Sequence, residues 1–224
     1  MTDYELKDID PEDMDEILTK VEWSFNIRFV SNELAHIRTF GELCDYITAK
    51  IPLDHSSSCT SQQAFYKLRK AFSDTLPLDS GHIAPATLLT DLLPRQNREQ
   101  TVQKIEHSLG FRLNLLSIPG WLSAILGLSF LISIAGFFIS WQVGVAGMAL
   151  SILGFRLADR FASNTLQLKT VGQVAKKMTR EDYLRSRRNP HTFNRDEVSK
   201  VLTELFSTGL DLDKADLTRE ARFV

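Results

Sequence analysis

From Leu113 to Phe155 the chain carries no charged side chain, although the sequence on either side is polar. At about 1.5 Å of rise per residue, roughly 20 apolar residues cross a bilayer, so a run of about 43 is enough for two crossings. Arg112 precedes the run, and Arg156, Asp159 and Arg160 follow it. Trp141-Gln142-Val143-Gly144 is the place inside it most suited to a tight reversal. The pattern therefore predicts a two-helix transmembrane hairpin within 117–160, with Trp121 to Ile139 running one way and Val143 to Leu157 the other. A hairpin buried in a soluble core would normally keep a polar stripe on each helix, and neither helix has one. Trp121 and Trp141 lie near opposite ends of the first crossing, where indole rings favour the headgroup layer. Ser123 and Gly127, Ser129 and Ser133, and Gly147 and Ser151 recur at four-residue spacing. Such small faces let helix backbones approach closely in lipid, and their simplest use is to pack the two helices together.

The flanks give an orientation. Lys104 and Arg112 precede the first helix, Arg156, Arg160 and Lys169 follow the second, and the turn has no basic residue. The positive-inside rule then places both polar ends, and both termini, on the cytoplasmic side of a bacterial inner-membrane type of bilayer. Met1 to Asp15 is acidic rather than basic and apolar, which predicts no cleavable signal peptide. The two cysteines, Cys44 and Cys59, suit a reduced compartment and suggest neither zinc nor a disulfide framework. A formal charge of −2 argues against a nucleic-acid partner.

The polar remainder contains an internal repeat. The segment from Lys20 through Glu22, Ser24 and Arg28 to Phe29 matches Lys104 through Glu106, Ser108 and Arg112 to Leu113 without a gap. Arg38-Thr39-Phe40-Gly41-Glu42-Leu43 matches Lys169-Thr170-Val171-Gly172-Gln173-Val174. Phe72-Ser73, Leu76 and Leu78-Asp79 return as Phe206-Ser207, Leu210 and Leu212-Asp213. The last two pairs are spaced wider than the first by about the length of the hairpin, so the hairpin reads as an insertion inside the second copy of a unit of roughly 85 residues. Met14, Ile17, Leu18, Val21 and Phe25 share one helical face, as do Ala64, Leu68, Ala71 and Phe72, and Val198, Val201, Leu202, Leu205 and Phe206. Thr39 with Glu42 predicts a capping box, repeated by Thr170 with Gln173, and Thr60 or Ser61 reads as the cap of a helix through Ala64. No segment alternates like a strand, so the expected class is all-α.

These residues resemble the acyl carrier proteins and related phosphopantetheine carrier domains. Val198 to Val224, with Leu210-Asp211-Leu212, Leu217-Thr218 and Arg222-Phe223-Val224, resembles the first helix and long loop of that four-helix bundle; Ala64 to Leu93 is a second example. Asp13 to Phe25 is similar to the family's second helix. Ile27-Arg28-Phe29 with Glu33-Leu34, then Thr39 to Ile47, resemble its third and fourth. The resemblance implies two carrier-like bundles: residues 1–52 completed by 194–224 in circularly permuted order, and 61–116 completed by 164–180, with the hairpin inserted in the latter. Neither leftover piece of the first bundle can bury its apolar face alone. The two chain ends are therefore expected to pack together, with Val224 near Tyr4 to Asp10, either within one chain or swapped between two in a homodimer.

The carrier serine is missing. Its place is taken by Pro11 in the first bundle and Arg95 in the second, while Asp79-Ser80-Gly81 falls in the wrong loop. The resemblance thus implies a fold and a docking mode without the acyl chemistry, no cofactor and no enzyme. The histidines have no metal spacing, no Gly-rich phosphate loop occurs, and Cys59 sits in a polar linker with no partner histidine. Carriers present an acidic second helix to basic enzymes, and Glu12, Asp13, Asp15, Glu16 and Glu22 resemble that partner-docking surface; an acidic helix start favoured by the helix dipole reads the same way. Lys176, Lys177, Arg180, Arg185, Arg187 and Arg188 form a basic stretch suited to anionic headgroups or to a solvated face. The expected function is a membrane-anchored pseudo-carrier adaptor, its partners acyl-transfer or lipid-synthesis enzymes of fatty-acid, polyketide or lipid metabolism. The alternatives are an oligomerising membrane effector whose hairpin perturbs the bilayer, and a true acyl carrier using a displaced serine.

Overall fold

The computed structural model describes residues 5–6, 10–138, 140–162 and 164–223. In chain order its elements are β1 (Glu5–Leu6), α1 (Pro11–Phe25), α2 (Phe40–Lys50), β2 (Asp54–His55), α3 (Thr60–Thr75), a 3-10 turn at Ser80–His82, α4 (Leu89–Leu92) and α5 (Arg98–Leu109). Then follow β3 (Leu116–Ser117), α6 (Gly120–Gly136), α7 (Trp141–Ala162), β4 (Thr165–Leu166), α8 (Val171–Glu181), α9 (Tyr183–Ser186), β5 (Thr192–Phe193), α10 (Arg195–Gly209) and β6 (Arg222–Phe223). The described chain is mostly helical, as the patterning predicts. The strands form three two-residue ladders, β1–β6 and β2–β5 parallel and β3–β4 antiparallel. Two residues are too few to leave an alternating signature, so the sequence reading of no strands is corrected here.

The chain divides into two compact units, one of residues 1–70 with 172–224 and one of residues 71–171. The division falls inside α3 and at the start of α8, so the expected second bundle, 61–116 with 164–180, overlaps the second unit without coinciding with it.

The first unit is built from both ends of the chain. Ile17, Val21 and Phe25 of α1, Leu43 and Ile47 of α2, and Leu202 and Phe206 of α10 belong to one core. Tyr183, Phe193 and Leu217 join them. Glu5–Leu6 lies parallel to Arg222–Phe223; Val224, Tyr4 and residues 7–9 lie outside the described residues. Asp10 caps α1, accepting from the Glu12 amide at 2.9 Å, and Pro11 follows it, where its missing N–H costs nothing. Thr39 and Glu42 form the capping box of α2. Gly41 is required there, because a Cβ would stand 2.7 Å from the Arg219 carbonyl that the Gly41 amide bonds. Ile27 to Ile37, expected to hold a third helix, is a run of turns closed by hydrogen bonds such as Glu33 N–H to Val30 and Ile37 N–H to Leu34. Asn32, at φ 64°, breaks any continuous helix there. Thr60 is the first residue of α3 and not its cap; the Glu197 carboxylate accepts the Thr60 amide at 3.1 Å and does the capping from a distant part of the chain.

The second unit carries the hairpin. Ile83, Leu89, Val102, Ile105, Phe111 and Leu113 are buried, and so is Arg98, whose Nε donates to the Leu93 carbonyl at 2.9 Å and Nη1 to Asn164 at 2.6 Å. Leu113 and Leu115, the start of the uncharged run, are core residues here. The β3–β4 ladder ties the two feet of α6 and α7 together.

Backbone hydrogen bonds repeat with the sequence. In the first unit the Phe40 amide donates to Ala221 and the Phe223 amide to Arg38; in the second, Val171 donates to Thr87 and Leu89 to Lys169. Asp213 accepts the Ala215 amide at 3.0 Å, as Asp79 accepts that of Gly81 at 3.2 Å. The Asn26 end of α1 and the Gly110 end of α5 are both left-handed. Beyond each, a glutamate of the last turn reaches forward, Glu22 to the Phe29 amide and Glu106 to that of Leu113 at 2.7 Å. Every pair is equivalent in the sequence repeat, so the repeated letters encode the same turns twice.

Glu33 pins the turn-rich segment. It accepts from the Lys50 ammonium, the Tyr46 hydroxyl and the Val30 amide, and those bonds, Lys50's foremost, pull its carboxyl from 4.5 down to about 2. A carboxyl depressed by folding adds stability that is complete above its unfolded value and fades as pH falls toward the folded one. Thermal melts of the full chain should therefore lose stability between about pH 5 and pH 2, and E33Q should flatten that slope. A slope identical in E33Q would refute the assignment.

Candidate functional site

Most of the large apolar side chains that stand exposed among the described residues belong to the α6–α7 hairpin. α7 contains Trp141–Ala158, the one stretch among the described helices long and apolar enough to cross a membrane; at about 1.5 Å per residue it spans about 27 Å. α6 has 17 residues, about 25 Å. Phe138 is 92 % exposed, Leu150 69 %, and Trp121 and Trp141 67 % each, with Ile125, Leu128, Leu131 and Leu153 also outward. The reversal falls after Gly136, the end of α6, and before Trp141, the start of α7, so residues 141–144 are the first turn of α7 and not the reversal. Ser140 supplies the reason, its hydroxyl accepting the Gln142 amide at 3.3 Å, a helix cap that the sequence reading passed over. Ile139, the expected end of the first helix, lies outside the described residues.

Small residues fill the seam between α6 and α7. Ser129 and Ser151 hydroxyls meet at 3.0 Å, and a Cβ on Gly147 would stand 2.5 Å from Ser133 Oγ. A Cβ on Gly154 would stand 2.9 Å from Leu126 Cδ2, and one on Gly144 would stand closer still to the Phe137 ring. Gly120 and Gly127 of α6 differ, with nothing within 4 Å of either. Of the four-residue pairs, those of Ser129 with Ser133 and Gly147 with Ser151 are thus used inside the hairpin.

The acidic surface stands mainly on α1. Glu12, Asp13, Asp15 and Glu16 are exposed. Glu16 pairs with Lys20 at 2.7 Å, a hydrogen bond that lowers its pKa. Glu22, expected among them, is half-buried and committed to the Phe29 amide, so its role is to hold a loop. Pro11 opens α1, and Arg95 lies between α4 and α5 with its carbonyl accepting from Asn164 at 3.0 Å.

The basic stretch does not form one face. Lys176 is exposed, Lys177 reaches Glu181 at 3.8 Å, and Arg180 bonds Glu181 at 2.7 Å and Thr208 at 3.0 Å. Arg185 lies over the Trp23 ring, 4.4 Å from its centroid. Arg187 is corrected outright: at 1 % exposure it cannot meet a headgroup. Its guanidinium donates to Thr60 Oγ1, to Ser58 Oγ at 3.0 Å and to the Ser58 carbonyl at 3.3 Å, with Glu197 at 3.9 Å as counter-charge. Arg188, next to it, is exposed.

Sequence reasoning missed the cleft beside Trp23, about 840 Å³, lined by Trp23, Arg28, Phe29, Arg185 and His191 among others. Trp23 Nε1 donates to Asp182 at 3.1 Å, and burial keeps the Asp182 carboxyl above its usual range. An exposed Trp on a helix otherwise read as a docking face was the available signal. A small apolar groove, about 180 Å³, lies between Met14, Leu18, Leu34, Ile37, Leu43 and Phe223. Burial raises the Cys44 thiol above its usual value, and Cys59 is exposed. Among the described residues no three His, Cys, Asp or Glu side chains converge as a metal site would require. No protein family, curated protein or solved structure matches the chain.

Proposed function

We propose that the chain is an integral membrane, non-enzymatic adaptor. The α6–α7 hairpin anchors it, and the exposed acidic residues of α1 dock a protein partner. One observation carries the reading: the hairpin is inside out for water, with Ser129, Ser133, Gly147 and Ser151 in the seam and many of its large apolar side chains outward. Leaving so many side chains wet is costly, at about 25 cal/mol per Å2 of apolar surface, and a bilayer removes that cost. The basic flanks of the hairpin support an orientation with both termini on the cytoplasmic side. The carrier resemblance, with Pro11 and Arg95 where the serine would be, implies partners among acyl-transfer and lipid-synthesis enzymes, recognised through Asp13, Asp15 and Glu16.

The test is alkaline carbonate extraction of membranes from expressing cells. Wild type should stay in the pellet, and a variant with Leu131→Lys and Leu150→Lys should not. Release of wild-type protein into the soluble fraction would end the membrane reading. The adaptor half is checked by affinity purification, where D13K/D15K/E16K should lose whatever partner the wild type retains.

A further inference from the structure

Beside the buried Arg187, the surface of the first unit opens into two adjoining hollows of about 380 and 260 Å³ that share Gln63, Tyr66 and Arg188. Ser56 and Ser58 line the first, Lys67 and Lys70 the second. Among the described lining residues there is no carboxylate.

Hydrogen-bond direction sets the character of this cleft. Arginine can only donate, so Ser58 Oγ accepts from Arg187 Nη2 at 3.0 Å. Ser58 Oγ and Ser56 Oγ, 2.9 Å apart, share one hydrogen bond, so whichever of them donates, one proton of the pair is left to give. Gln63 Oε1 is occupied by the Arg188 amide at 2.6 Å, so the side chain presents its NH2 group. Tyr66 OH accepts from Gln62 at 3.4 Å and keeps its proton to give. At three places the internal network consumes acceptors and leaves donors, beside the cations of Arg188, Lys67 and Lys70. The Lys67 ammonium donates to the Arg185 carbonyl at 2.6 Å, and burial holds it below the usual lysine range.

We propose that this cleft binds a phosphate group, carried by a lipid headgroup or by a soluble phosphate. A phosphate offers several acceptor oxygens and no obligatory donor, which suits a cationic, donor-rich lining. Of the basic stretch read from sequence, Arg188 alone lines this cleft; its other cations come from α3. The proposal does not rest on the hairpin crossing a membrane.

The experiment uses the full chain in non-ionic detergent at constant ionic strength. Inorganic phosphate is titrated by calorimetry, and dioctanoyl phosphatidic acid is compared with dioctanoylglycerol by the shift in unfolding temperature. Saturable binding of a phosphate probe is expected, weakened about tenfold in R188Q and also weakened in S56A. S56A removes a single hydroxyl and keeps the backbone bond from Ser56 to Phe193, so it remains informative should R188Q fold poorly. Phosphatidic acid binding at least about tenfold tighter than inorganic phosphate assigns a lipid source, and equal affinities assign a soluble one. Saturation by neither probe, an equal response to dioctanoylglycerol, or undiminished binding in both variants overturns the site.

Discussion

Arg187→Met should destabilise the first unit by about 3 kcal/mol, the low end of what removing one partner of a buried ion pair costs. The guanidinium ties four parts of the chain together: the Ser56–Ser58 linker, the start of α3 at Thr60, Tyr183 of α9 and Glu197 of α10. Methionine fills much of the space but leaves the Ser58 carbonyl without its donor and Glu197 without its cation. Glu197 retains the Thr60 amide and the Tyr183 hydroxyl at 3.0 Å, and it is partly exposed, which is why the low end applies. For a unit of this size the melting temperature should fall by about 10 °C. Lysine should rescue little, because one ammonium cannot replace a planar fork with several fixed donors. The adjacent R188Q, at an exposed position, should change stability by less than about 0.5 kcal/mol. Urea unfolding followed by far-UV circular dichroism makes the comparison, and an R187M midpoint equal to that of R188Q would refute the clasp.

The second large effect belongs to the hairpin seam. Gly147→Leu drives a side chain into Ser133, where even a Cβ would lie 2.9 Å from the serine Cβ, so the helices must part. Overpacking of a close helix contact costs about 1–3 kcal/mol. The Ser129–Ser151 hydrogen bond, one helical turn from Gly147 along α7, should be lost with it. Gly127→Leu adds the same atoms on the open side and should be neutral in the seam. Unfolding in mixed SDS and neutral-detergent micelles, read by circular dichroism, separates the two. Equal midpoints for G147L and G127L would show that the small residues do not set the packing.

These two sites also show what the letters could and could not convey. Local rules were legible: Thr39 with Glu42 forms a capping box, and the Lys20–Phe29 and Lys104–Leu113 match becomes a shared helix end with a shared glutamate clamp. Such features depend on residues a few positions apart, which is the range over which a sequence speaks directly. Arg187 was not legible. In a run of arginines and lysines its neighbours all suggested solvent, and its burial is decided by Ser58, Thr60 and Glu197, distant in sequence or beyond the run. The short ladders were hidden for a related reason, since each joins two residues to two others far along the chain. Asn32 was visible, but a single left-handed residue against a weak helical pattern reads only in hindsight. The same long-range dependence hid the phosphate cleft, whose cations come from two segments that the folded chain alone brings together.

Building the first core from both ends of the chain has a consequence for synthesis. At roughly 5–20 residues per second, α1 and α2 leave the ribosome about ten to thirty seconds before α10 and β6 exist to cover them. During that interval Ile17, Val21, Phe25 and Ile47 lack the α10 part of their core, and α6 and α7 emerge before it is supplied. The α1 and α2 helices must wait for α10 to be translated before their shared core can close. A ribosome stalled before Val198 would therefore release a chain with its apolar hairpin made and its first core unfinished, a natural substrate for chaperones and proteases.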